Sequence, residues 1–142
     1  MSQSSVRVNI AITRIAKQHK TPSDSDNERI LFGVRLDSGH ISTEAAGAIA
    51  LFHLKTRHQF KVFFTEDRNN TPDDFNWLRN IKHSQKLKID VQIDVVSEKR
   101  VSAYIEFPDC RLVHVSSHDG GHTMTINTLK NAEMGILDDT AA

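Results

Sequence analysis

The chain is poor in the residues that announce a function. It has one cysteine, Cys110, so no internal disulfide can form, which points to a reducing, cytoplasmic setting. Prolines and glycines are few, at three and six in 142 residues, there is no repeat, and the 38% hydrophobic and 25% charged content is ordinary globular usage that argues against disorder. One tyrosine and one tryptophan leave no interleaved aromatic platform for stacking bases. The longest apolar run, Ala45 to Phe52, is broken by Gly47 and is far short of a membrane span, so no membrane partner is expected. The first residues, Met-Ser-Gln-Ser-Ser, lack the basic and continuous apolar regions of a secretory signal. Glycine-rich phosphate loops, a Gly-x-Ser-x-Gly elbow and His-Glu-x-x-His are all missing, and no cofactor is expected.

Charge of one sign is missing too. Lys plus Arg and Asp plus Glu number 18 each, so net charge calls for neither nucleic acid nor membrane. The distribution is uneven, +3 over residues 1–83 and −3 over 84–142, which puts any anion-binding surface in the first half. The length fits one domain, 1–142, with a core of ordinary size.

What is present is periodicity. Val6, Val8, Ile10 and Ile12 alternate with polar residues, as a half-buried strand requires. Residues 20–27 hold no apolar side chain and read as a mobile loop. Ile30, Phe32, Val34 and Leu36 alternate as a second strand. Ser42 or Thr43 can cap a helix whose apolar stripe, Ala45, Ala48, Ile49 and Phe52, runs on toward His58. Phe60–Phe64 reads as a strand. Thr71-Pro72-Asp73-Asp74 starts a second helix, with a capping hydroxyl, proline at the first position and acids facing the helix dipole. From Leu87 the period is two again, with Pro108-Asp109 as a turn and a tail at 131–142 that could dock on its own domain or a neighbour. The expectation is an α+β domain with a mixed or antiparallel sheet, two helices, the order β-β-α-β-α-β-β-β-β and a C-terminal four-strand meander.

Asp119-Gly120 suits a two-residue type I′ turn. Centring a hairpin there pairs Ser117 with His122, His114 with Thr125, Val115 with Met124 and Val113 with Ile126. One face then displays His114, Ser116 and His118. The ladder Cys110-x3-His114-x3-His118-x3-His122 resembles metal-ligand spacing, but four strand residues span about 13 Å while zinc ligands lie about 2 Å from the ion. No metal is therefore assigned.

Three functions compete. The first is a non-catalytic binding or assembly protein, acting on a protein partner or by self-association, with His114, Ser116 and His118 as contact surface. The second is nucleic-acid binding through Lys55, Arg57, His58 and Lys61, since cations hold phosphates, although cations at a helix end also answer its dipole. The third is a phosphodiester-acting enzyme with His40 and His114 as base and acid, and Ser42 and Ser116 holding phosphate oxygens. Eight histidines and 22 Ser or Thr predict about one His-x-Ser/Thr by composition and three occur, so the pair is a weak signal. The binding reading leads.

Overall fold

The computed structural model describes residues 5–15, 27–39, 42–43, 54, 58–96 and 100–138. Its elements are β1 (Ser5–Arg14), β2 (Glu28–Phe32), β3 (Arg35–Asp37), β4 (Gln59–Thr65), α1 (Pro72–Arg79), β5 (Leu87–Val96), β6 (Arg100–His118), β7 (Gly121–Thr128) and β8 (Glu133–Asp138). The structure is dominated by one antiparallel sheet of eight strands, with one helix named among the described residues. The helix expected before His58 lies outside them, apart from Thr43 and Leu54, and so does most of the 20–27 loop.

The hydrogen-bonded path runs β2-β1-β5-β6-β7-β4-β3. Its two ends, β2 and β3, are separated in the chain by only Gly33 and Val34. The sheet is therefore rolled until its ends meet, and the Val34 N–H donates to the Val8 carbonyl at 3.0 Å across the junction. Rolling gives it a closed inner face filled by side chains, as in a small barrel. Ile10, Ile12, Ile89, Ile105, Met124 and Ile126 are all buried there, and the rings of Phe60 and Phe107 meet at 5.0 Å between centroids.

The single strand expected over Ile30–Leu36 is two. Gly33 takes a φ of +62°, a left-handed value that costs glycine nothing. The break shifts the inward parity from Leu31 to Val34 and Leu36, leaving Ile30 and Phe32 outside at 41% and 42% exposure. One strand can then pair with β1 on one side of the break and β4 on the other.

The four-strand meander is also corrected. Pro108 and Asp109 lie inside β6, a strand of 19 residues. Ile89 opposes Phe107 and Leu87 opposes Cys110, so β6 carries one extra residue at the proline. Such a bulge tolerates a residue with no N–H to give the ladder. A second bulge near Val113 sets Leu112, not Val113, opposite Ile126. The expected tail contributes β8, which pairs with Val101–Glu106 of β6.

The helix start is as the sequence predicts. The Thr71 hydroxyl accepts from the Asp74 N–H while the Asp74 carboxylate accepts from the Thr71 N–H, closing a capping box. Leu78 is buried, and Phe75 and Trp77 pack beside the core.

Candidate functional site

The hairpin end is built by its turn. Asp119 and Gly120 have φ of 49° and 79°, the two positive values a type I′ turn needs. The resulting register sets His118 opposite Gly121, Ser117 opposite His122 and His114 opposite Thr125. His114, Ser116 and His118 are exposed on the outer face, and the His118 ring meets the Asp119 carboxylate at 3.0 Å. His122 turns inward. The spaced Cys-His ladder is thus divided between faces, because Cys110 is buried as well. Burial, reinforced by the neighbouring Asp109, pushes the Cys110 thiol up to about 12, which leaves it an unreactive, apolar-like side chain.

His122 is the centre of a polar cluster at this end. It is 8% exposed, it opposes Phe64 on β4, and Phe75 of α1 stacks on its ring at 3.7 Å and 21°. Its Nε2 lies 2.9 Å from Glu66 Oε1 and its Nδ1 lies 2.7 Å from Ser117 Oγ. An ionised carboxylate can only accept, so Nε2 of the neutral ring carries the proton and Nδ1 accepts from the Ser117 hydroxyl. His122 also borders a cavity of about 560 Å³, whose wall includes Val8, Val34, Phe63, Phe64 and Thr123. Sequence spacing alone misses this cluster. The signal was nevertheless there: the turn register already pairs Ser117 with His122.

The other expected site residues are scattered. His40, Lys55 and Arg57 lie outside the described residues, so neither the His40–His114 pair nor the full basic segment is seen together. Ser42 forms an isolated bridge with Asp37. His58 and Lys61 are exposed, but the adjacent Phe60 and Phe64 are buried at core positions and offer no ring to a base.

A second surface is formed by the outer face of β2, β1, β5 and β6. Phe32, Asn9, Gln92, Tyr104 and Gly135 oppose one another in one cross-strand row. The neighbouring row is Ile30, Ala11, Asp90, Glu106 and Glu133. Short Asn9 and Ala11 leave a shallow trough of about 350 Å³ between the exposed Ile30 and Phe32 and the 39%-exposed Tyr104. A Cβ at Gly135 would overlap the Tyr104 ring, so glycine is what lets that ring lie over β8. Asp90 and Glu133 each stand opposite Glu106 across the strands, and like charges so placed cost stability. Asp90 Oδ1 is buried with no hydrogen bond among the described residues. Its pKa is raised, first by burial and then by Glu106 and Glu28, against the opposing pull of Lys88.

The described residues contain no helix long and apolar enough to cross a membrane. A scan against protein-family models matches no family, and searches of the curated proteins and of the solved structures return no match.

Proposed function

We propose that this chain is a binding or assembly protein that receives a basic, apolar segment of a protein partner on the outer face of β2-β1-β5-β6. The observation that carries the reading is the row of Asp90, Glu106 and Glu133 beside exposed Ile30, Phe32 and Tyr104. Apolar side chains favour burial, and stacked carboxylates favour a cation. A partner offering lysine or arginine between apolar residues satisfies both at once. A two-fold contact of this face with a second copy would set carboxylate against carboxylate, so the charge pattern favours a different chain over self-association. The single buried cysteine fits a cytoplasmic setting for the encounter.

The test is nuclear magnetic resonance with the 142-residue chain and three octapeptides, alternating Lys-Leu, Lys-Ser and Glu-Leu. The Lys-Leu peptide should bind most tightly, with shifts concentrated at Ile30, Phe32, Gln92, Tyr104 and Glu106. Replacing Glu106 and Glu133 by Lys should weaken it at least tenfold. Shifts confined to His114–His118, equal binding of the Glu-Leu peptide, or a concentration-dependent dimer through the same face would each overturn the reading.

A further inference from the structure

We infer that the hairpin end holds a second, hydrolytic activity: Ser117 and His122 form a nucleophile–base pair, positioned by Glu66, that cleaves carboxylic esters with small apolar acyl groups. The inference is independent of the outer face and survives or fails without it.

Three features of the cluster bear on chemistry. The first is connectivity. Ser117 Oγ, the imidazole and Glu66 Oε1 form one unbroken line of hydrogen bonds at 2.7 Å and 2.9 Å, with each imidazole nitrogen engaged. Glu66 fixes the proton on Nε2, which leaves Nδ1 as the base facing the hydroxyl. Nucleophile, base and orienting carboxylate recur in this relationship on unrelated folds. Here the two ring nitrogens exchange their usual partners, which leaves the proton path unchanged.

The second feature is rigidity with access. The ring is held by the Phe75 stack at 3.7 Å and the Phe64 ring at 5.2 Å, so its orientation costs nothing at the moment of reaction. Ser117 itself is exposed and reachable. The third is a place for the acyl group. The cavity of about 560 Å³ beside His122 has an apolar wall of Val8, Val34, Phe63 and Phe64, with Arg35, Thr43, Thr65, His118 and Thr123 around the rest. The apolar wall can take a short aliphatic or aromatic acyl chain. In a hairpin closed by a two-residue turn, Ser117 and His122 form the pair that exchanges no backbone hydrogen bonds. The Ser117 N–H therefore points to the β6 edge away from β7, where it can donate to a developing oxyanion.

The steps balance without any cofactor. Ser117 Oγ bonds to the ester carbonyl carbon as its proton passes to His122 Nδ1. The tetrahedral adduct collapses, the acyl–oxygen bond breaks, and the leaving alcohol takes the proton from Nδ1. Water then attacks the acyl-serine, giving its proton to Nδ1. The serine leaves with that proton, releasing the carboxylic acid and restoring the start.

The experiment uses the full chain with p-nitrophenyl acetate and butyrate, and a fluorophosphonate probe located by peptide mass. Label is expected on Ser117. Ser117→Ala should remove both label and turnover, while Ser84→Ala, at an exposed turn serine, leaves both unchanged. Glu66→Gln can donate to Nε2 and turn the Nδ1 proton toward Ser117, so kcat should fall 100-fold or more with KM and Tm unchanged. Glu66 and Ser117 are both exposed, and the Tm of each variant, measured beside its turnover, separates lost chemistry from lost packing. Turnover that survives Ser117→Ala would come from exposed imidazoles such as His118 and would overturn the inference. Label on another residue, or label on Ser117 without turnover above the Ala variant, overturns it equally.

Discussion

The inward cluster at His122 and the outward row at Asp90 place polar groups among apolar ones on the same sheet, with opposite results. At the hairpin end, both ring nitrogens of the buried histidine have partners, and an aromatic ring covers its face. On the outer face Glu106 is flanked by Asp90 and Glu133, and Asp90 Oδ1 is buried without a hydrogen bond among the described residues. A satisfied cluster stiffens the fold and can serve chemistry that needs fixed geometry. An unsatisfied one is completed only from outside. The difference separates a site that works alone from a surface that works in company.

The sharpest way to break the comparison is to exchange a large inner ring for a large outer one. Phe107 is 1% exposed and packs on Phe60, so Phe107→Ala should cost about 3–5 kcal/mol in urea unfolding. Phe32 is 42% exposed, and Phe32→Ala should change stability by less than about 1 kcal/mol. Equal losses would mean that the outer face is part of the core and not a surface awaiting a partner.

Asn70 joins the two regions and gives the next largest effect. It is buried, its side-chain carbonyl accepts from the Phe32 N–H at 2.8 Å, and its amide donates to the Phe32 carbonyl at 2.8 Å and the Thr65 carbonyl at 3.3 Å. It thus acts as a short strand edge for the end of β2. Asn70→Ala leaves those backbone groups unpaired and should cost about 2–3 kcal/mol. It should also loosen Phe32, visible as faster amide exchange there than in β1. A loss no larger than that of Phe32→Ala would show that β2 does not need this clamp.

How far these regions are legible in the sequence follows from which signal each uses. β1, β5 and β7 announce themselves through period-two alternation, and α1 through Thr71, Pro72 and Asp74. The rolled closure is hidden because Ile30, Phe32, Val34 and Leu36 keep one parity across Gly33, where the backbone changes face. Pro108 looks like a turn because a proline bulge and a turn share the same residues, and only the partner strand distinguishes them. The His122 cluster is half legible: the turn fixes Ser117 opposite His122, but Glu66 arrives from β4 through pairing that no local pattern encodes. The acidic row is the least legible, since Asp90, Glu106 and Glu133 meet only when three registers are known.

The smallest expected effect is the most pointed, because its sign differs between stability and binding. The pKa of Asp90 is raised above 3.8 in the folded protein, chiefly by burial. The folded state therefore holds this proton more tightly than the unfolded chain. Stability should fall as pH rises from near 3.8 through the folded value, and the deficit persists at neutrality. Asp90→Asn removes that deficit and its repulsion with Glu106, at the loss of the long 3.9 Å contact with Lys88. A gain of roughly 0.5 kcal/mol is expected at pH 7 from relieving opposed like charges. The gain should vanish below the unfolded pKa, where both states are protonated. The same variant should bind the Lys-Leu peptide more weakly. Stabilisation joined to weaker binding would show that the carboxylate is kept for its contact and not for the fold. Destabilisation at pH 7 would place the Lys88 pair above the repulsion and remove the contrast between the two regions.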